Sequence, residues 1–339
     1  MKGDKAMVVL SMITYNSYSK MNSSIGLERV LDSTLQIPYR QMILVDDSHD
    51  ETSNLVKAWC ERNEKELLSL RSRLYGYHRH TRATARQTAI DVLLESFDDE
   101  WLMFVDDDVV LKDGWWGWVL ENKVLEDHGV GEVWGINWDA TPERKKFLAA
   151  LGIDLKSYLI RKFSERGGTH DTLYRRRAIE GVKISPELHV YEDAYLHFYV
   201  TCNGWKSIIN PVGVLHYHPV SVYTDLKYEK EKAKVAIEVA LKYGICEYEN
   251  TRTIKESIKS KVLSYAGLLR PIFGFFVMLP TAVKVYGFKI GLTEAVKRQY
   301  LKLWFRWQVL NSVNKTVRIP PICEVIRRDR GRMNERSNK

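Results

Sequence analysis

One stretch limits what this chain can become more than any other. Trp101-Leu102-Met103-Phe104-Val105 is apolar for the length of a strand, meets Asp106-Asp107-Asp108, and resumes as Val109-Val110-Leu111. An unbroken apolar run of that length suits a strand covered on both faces. Three adjacent carboxylates repel one another, and the cost falls only where a cation or well-placed donors offset it. In open α/β sheets, ligands gather beyond the carboxyl ends of the strands, where this cluster falls. In extended backbone alternate side chains share a face, so Asp106 and Asp108 are expected to point together and Asp107 away. Two converging carboxylates suit a hard divalent cation that also binds phosphate oxygens. An isolated acidic triplet is more often a solvated turn, so its surroundings decide.

Those surroundings repeat one pattern. Met7 to Ile13 is an apolar strand leading into Thr14-Tyr15-Asn16-Ser17, and Gln41 to Val45 is a second that stops at Asp46-Asp47-Ser48. A helix capped by Ser23 or Ser24 and running to Leu35 separates them. A helix from Asp50-Glu51-Thr52 to about Leu68 is expected next, then a strand over Leu74 to His78, then a helix from Thr81 to Phe97. On that helix Arg82 and Arg86 are four apart and share a face. Alternating strands and helices predict a mainly parallel sheet covered on both faces. Polar strand ends that converge on one edge form a nucleotide pocket in such sheets.

Beyond the triplet, Trp115, Trp116 and Trp118 have the spacing of helix-packing residues, and Glu132 to Trp138 reads as a strand. Residues 141–166 give no clear pattern. Gly167-Gly168-Thr169 reads as a turn, whose glycines would let the backbone approach a ligand closely. A helix opening at Val190 carries Glu192 and Asp193 in its first turn. These either stabilise the helix end or supply a general base. Strands at Ile208-Ile209 and Gly213 to Leu215 lead to His216-Tyr217-His218, where either histidine can reach a metal.

Charge divides the chain. Residues 251–339 carry 19 Lys and Arg against 5 Asp and Glu, and the first 250 carry 32 against 38. A basic C-terminal region after a mildly acidic body points to an anionic surface as partner. Val262 to Gly287 is apolar but interrupted by Arg270, Pro271, Pro280 and Lys284, which suits two short helices in a membrane interface better than a spanning helix. Around Glu294 to Val313, Trp304, Phe305 and Trp307 mix with Lys and Arg, which fits the same surface. Arg327 to Lys339 reads as a disordered basic tail. The four cysteines are far apart and suggest no disulfide framework, in keeping with a reducing cytosol. Met1 to Lys5 leads into the first strand with no signal-peptide apolar region.

In order and spacing, Ile13-Thr14-Tyr15-Asn16, Val45-Asp46-Asp47-Ser48 with Asp50 and Thr52, Ala85-Arg86 and Val105-Asp106-Asp107-Asp108 resemble the nucleotide-sugar half of family 2 glycosyltransferases. Gly167-Gly168 with Arg175-Arg176, and Glu192-Asp193 followed by Asn203-Gly204-Trp205, resemble the acceptor half. The likeness spans roughly residues 7–220. It implies a GT-A, Rossmann-like α/β fold over residues 1–250, with a nucleotide half to about 112 and an acceptor half over about 113–220. Residues 251–339 would be a basic helical, membrane-interfacial extension. The implied activity is inverting transfer of a hexose from a UDP- or GDP-sugar, dependent on Mn²⁺ or Mg²⁺, to a lipid-linked or glycan acceptor. The implied setting is the cytoplasmic face of a membrane.

By the same resemblance Thr14, Tyr15, Asn16 and Asp46 or Asp47 hold the base, and Arg86 and Arg82 contact base or phosphates. Asp106 faces the ribose, with Asp107 beside it. Asp108 holds the metal; apart from the resemblance, the residue patterns themselves add Asp106, on the same face of extended backbone, and His216 as further ligands. Asp193, or Glu192 in its place, takes the acceptor proton. Two positions depart from the family pattern: Gln87 stands where Asn is common, and Ser48 follows Asp47 without a glycine.

Two other classes compete. A nucleotidyltransferase can share such a sheet and acidic site, but wants a glycine-rich phosphate loop where this chain has Thr14-Tyr15-Asn16-Ser17-Tyr18. A catalytically silent binding module for nucleotide-sugar is the other. Nucleic acid is not expected, because the basic charge lies away from the acidic pocket.

Overall fold

In the computed structural model the described residues are 8–20, 24–139, 142–164, 167–216, 225–245, 270–312 and 319–337. Val8–Thr14 (β1), Tyr39–Asp46 (β2), Glu66–Leu70 (β3) and Trp101–Val105 (β4) lie parallel in the order β3-β2-β1-β4. Every residue of β1 and β4 is buried, as their unbroken apolar sequence requires.

The connections are helical: Ser17–Lys20 (α1), Ser24–Ser33 (α2), Thr52–Arg62 (α3) and Arg82–Ser96 (α4). Thr81 caps α4, its hydroxyl accepting from the Thr84 amide at 3.1 Å. The sheet continues with Val109–Leu111 (β5), the helix Trp115–Glu121 (α5) and Val130–Asp139 (β6). Further along the chain come the helices Pro142–Ala150 (α6) and Leu155–Ser164 (α7), then Asp171–Arg175 (β7), Arg176–Ile179 (α8), Glu192–Cys202 (α9) and Lys206–His216 (β8).

The full strand order is β3-β2-β1-β4-β7-β6-β8-β5, with β7 antiparallel to β4 and β6, and β5 antiparallel to β8. A parallel quartet thus grows into a mixed half. One core joins Leu10, Met12, Leu44, Trp59, Met103 and Trp115, and Trp115 and Trp116 pack inward as their spacing indicated.

Three expectations on this sheet are corrected. Helix α3 stops at Arg62, where Glu64 takes a left-handed φ of 55°, and the third strand is Glu66–Leu70, not Leu74 to His78. That strand is an edge strand with little burial, so its sequence lacks an apolar run. The two strands expected after α9 are one, β8. Its Asn210-Pro211-Val212-Gly213 reads as a turn but forms a bulge opposite β6. Gly213 has φ 64°, and a Cβ there would meet the Ile136 carbonyl oxygen at 2.0 Å. Cys60 is a free, buried thiol.

Contacts group the chain into two compact units: Met1–Ala140 with Arg166–Pro219 and Asp329–Lys339, and Thr141–Glu165 with Val220–Arg328. The second unit is helical. It holds α6, α7, Leu226–Tyr243 (α10), and the helices Arg270–Tyr286 and Phe288–Ser312. Ile237 and Ala240 of α10 pack with Phe305 and Val309, and Phe147 of α6 packs with Ala282 and Ala295.

Within the stretch expected to form two short helices, Arg270–Tyr286 is one helix with Pro280 inside it. Packing of Met278, Leu279 and Ala282 offsets the hydrogen bond that the proline removes. Residues 262–269 of the expected pair lie outside the described residues. Of the stretch Arg327 to Lys339, expected to be disordered, the described part to Ser337 is helical and continues a helix that opens at Ile322, with Val325 and Ile326 buried before it. Among the described residues, no helix is long and apolar enough to cross a membrane.

Candidate active site

The carboxyl ends of β1 and β2 meet in register, with Thr14 opposite Asp46. The Thr14 hydroxyl donates to Asp46 Oδ1 at 2.6 Å, and the Ser48 amide donates to the same oxygen at 3.1 Å. Among the described residues nothing donates to Asp46 Oδ2. Asn16, at a left-handed φ of 53°, ties the two loops together. Its amide donates to Ser48 Oγ at 2.7 Å, and its side-chain oxygen accepts from the His49 amide at 2.8 Å. Asp47 turns the other way: Ser72 donates to it from its amide at 3.1 Å and from its hydroxyl at 2.6 Å. Tyr15 is 54% exposed, edge-on to His49. Thr14, Tyr15, Asn16, Asp46 and Asp47 are therefore gathered at one corner.

The triplet lies in a turn between β4 and β5, so the alternation expected of extended backbone does not carry through it. Its three side chains have three different partners. Asp106 pairs with Arg86, Asp107 accepts from Ser17 Oγ, and Asp108 Oδ2 lies 3.0 Å from His216 Nε2. Register explains the last pair, since His216 on β8 stands opposite Val109, the residue after Asp108. The Asn137 amide group sits 3.4 Å from His216 Nδ1. Among the described residues, no three His, Cys, Asp or Glu side chains group closely enough to hold a metal unaided. His218 lies outside the described residues.

Burial alone would raise the Asp106 pKa, but the positive charges of Arg86 and Arg82 outweigh it and hold the carboxyl below its usual value. Asp107 is pushed up to about 7 by burial and by the charge of Asp108, against the hydrogen bond from Ser17. Arg86 is 1% exposed and lies 4.7 Å over the Phe104 ring. Its Nε and Nη1 are buried with no partner among the described residues.

Helix α9 brings a second acidic pair. Glu192 is buried, with Oε2 unpartnered among the described residues, while Asp193 is half-buried. Burial and then the neighbouring charge of Asp193 push Glu192 up to about 7, with Arg82 and Arg86 opposing.

Four residues down the helix, His197 Nδ1 lies 2.7 Å from buried Glu132 Oε2, and Glu132 also accepts from the Tyr174 hydroxyl at 3.1 Å. Gly167 closes over this cluster at φ 66°, where a Cβ would come within 2.6 Å of His197 Cβ. Neither Glu132 nor His197 was singled out from sequence, since each is a lone polar residue among apolar ones until folding pairs them. Arg175 and Arg176 bind backbone carbonyls and a carboxylate. Arg175 donates to the Val130 carbonyl at 2.7 Å and pairs with Glu100, and Arg176 donates to carbonyls at the end of α4.

The family model for Glycosyl transferase family 2 matches residues 11–180, half of the chain. This chain belongs to glycosyl transferase family 2. The matched span carries Thr14, Asp46, Arg86 and Asp108, while Glu192, Asp193 and His216 lie beyond it.

Among solved structures, mannosyltransferase PcManGT of Pyrobaculum calidifontis, in complex with GDP-Man and Mn²⁺, is similar over 98% of this chain and 81% of that one. It is 15% identical, with a TM-score of 0.51. Glucosyl-3-phosphoglycerate synthase of Mycobacterium tuberculosis, with Mn²⁺ and UDP, is similar over 70% of this chain and 79% of its own, at 12% identity and a TM-score of 0.45. S. aureus TarS 1–349 is similar over 92% of this chain and 96% of its own, at 14% identity and a TM-score of 0.45. The first likeness reports the fold, GT-A, of a family 2 glycosyltransferase. No curated protein matches the chain.

The two departures from the family pattern have local structural roles. Gln87 of this glycosyltransferase donates to Asp91 at 2.7 Å and to the Val182 carbonyl at 3.1 Å, and accepts from the Ile184 amide at 2.8 Å. It fastens α4 to the segment before α9. Ser48 braces both Asp46 and Asn16, as described above.

Proposed function

We propose that this glycosyltransferase moves a hexose from a UDP- or GDP-sugar, with inversion and with a divalent cation, to the hydroxyl or phosphate of a lipid-linked or glycan acceptor at a membrane's cytoplasmic face. The observation that carries the reading is one sheet edge bearing three devices. These are the Thr14–Asp46 corner, the Arg86–Asp106 pair and the Asp108–His216 pair.

Each device suits one part of the donor. Asp46 Oδ2 is an acceptor for a base N–H, and exposed Tyr15 offers a ring face for stacking. Ionised Asp106 accepts ribose hydroxyls, and Arg86 fixes its orientation. The unpartnered N–H groups of Arg86 suit an anionic oxygen.

A carboxylate and an imidazole 3.0 Å apart, one of them 38% exposed, fit a divalent ion of the Mn²⁺ class that completes its shell with diphosphate oxygens and water. Asp108 and His216 would hold such an ion, with Asp106 engaged by Arg86. When bound, the ion would supply Lewis-acid neutralisation of the departing diphosphate.

Asp193 is the general base. It is half-buried, whereas Glu192 beside it is 3% exposed. As the acceptor oxygen bonds to the anomeric carbon, its proton passes to the Asp193 carboxylate. The bond from that carbon to the diphosphate breaks with its electron pair leaving on oxygen. One displacement inverts the centre and needs no enzyme nucleophile. The test is a screen of nucleotide-sugars for metal-dependent hydrolysis and transfer. Release of nucleoside diphosphate from one of them supports the reading, and release of pyrophosphate from a nucleoside triphosphate would replace it with nucleotidyl transfer.

A further inference from the structure

The helices Arg270–Tyr286 and Phe288–Ser312 form a hairpin whose inner face is filled by Phe275, Met278, Leu279, Ala282 and Ala295. Its outer faces are also apolar. Arg270–Tyr286 presents Ile272, Phe273, Phe276 and Val277, with Phe273 70% and Val277 69% exposed. Phe288–Ser312 presents Val296, Tyr300, Leu303 and Trp307, whose spacing of four, three and four residues places them in one stripe. Single exposed apolar residues are ordinary, but two continuous faces on neighbouring helices mark a contact surface.

Charge selects the occupant. The two helices carry seven Lys and Arg. Their one acid, Glu294, is 2% exposed and lies 3.7 Å from Lys297 and 3.9 Å from Arg298. Exposed Arg270 and Lys284 bracket the first apolar face at its two ends. A symmetric contact with a second copy would set this cationic surface against itself. Among the described residues neither helix is long and apolar enough to cross a membrane. Apolar side chains flanked by long cationic ones suit a headgroup boundary, where Phe enters the acyl region and Lys and Arg reach the phosphates.

We propose that this hairpin docks on a bilayer rich in anionic glycerophospholipid. The purpose of that docking rests on the reading of a lipid-linked acceptor, while its evidence is the hairpin's own surface.

The test is co-sedimentation of the full-length protein with vesicles of phosphatidylcholine alone and of phosphatidylcholine mixed equally with phosphatidylglycerol. The expected result is binding to the mixed vesicles that weakens with salt, and little binding to phosphatidylcholine. F273S/F276S, altered only at exposed positions, should bind the mixed vesicles about tenfold more weakly or worse, with its melting temperature unchanged. Undiminished binding by F273S/F276S would overturn the proposal. So would a wild-type dimer that F273S/F276S dissociates, together with no vesicle binding by either protein. Metal-dependent donor hydrolysis on the same samples reports separately on the glycosyltransferase reading, so either can fail without the other.

Discussion

Arg86 reaches from the interior of α4 to Asp106 at the end of β4, and the two form an ion pair in which the arginine is almost wholly buried. A short strand end and a helix start are thereby locked together at the point where the acidic turn begins. Replacing Arg86 with Met would leave the Asp106 carboxylate without its partner. The expected loss of stability is about 2–4 kcal/mol by urea unfolding, smaller in R86M/D106N. A loss in R86M/D106N equal to the sum of the losses in R86M and D106N would show that the pair is not coupled.

Asp193→Asn should separate binding from chemistry. Donor affinity is expected to stay within about twofold, while transfer falls by about 10²–10⁴, the usual contribution of a general base. Donor titration and initial rates measure the two separately. A large loss in E192Q with near-normal turnover in D193N would move the role to Glu192.

Glu192 makes stability depend on pH. Its pKa is raised in the fold from the ordinary 4.5 to about 7, so the folded state binds the proton more tightly than the unfolded chain. The resulting stabilisation is complete below about pH 4.5 and is lost as pH rises through 7. Its size is on the order of 3 kcal/mol. In melting curves across this window, E192Q should flatten the decline that the wild type shows. An identical slope in both proteins would contradict this placement of Glu192.

Gly167→Ala tests the cover over His197. The substitution strains a left-handed residue and drives a methyl into the imidazole, so a destabilisation of about 2 kcal/mol or more is expected. Because His197 and Asp193 share one helix, transfer should fall further than donor binding. A neutral effect on melting temperature would show that the loop yields without cost.

Much of the polar sheet edge was legible in the sequence because strand ends announce themselves. An apolar run that stops at Asp46 or Asp106 gives both the strand and the place where its polar residues are delivered. What the sequence hid was pairing across distance. Nothing local joins Asp108 to His216, Glu132 to His197 or Gln87 to Ile184: the first depends on how β5 meets β8, the second on how β6 meets α9, and the third on how α4 meets the segment before α9. The edge strand Glu66–Leu70 escaped because a strand with exposed faces needs no apolar run. The bulge at Gly213 imitated a turn because both need the same backbone freedom. The turn through Asp106 to Asp108 replaced strand-like alternation with three separate partners, a choice that local sequence does not encode.

The most direct test is calorimetric titration of UDP and GDP into the wild type, D108N and H216A, each with and without Mn²⁺. The expected result is binding of one nucleotide by the wild type that requires Mn²⁺. D108N should lose it by about a hundredfold, and H216A by about tenfold or more. Metal-independent binding of equal strength in all three proteins would contradict the assignment of Asp108 and His216 to a metal-anchored diphosphate.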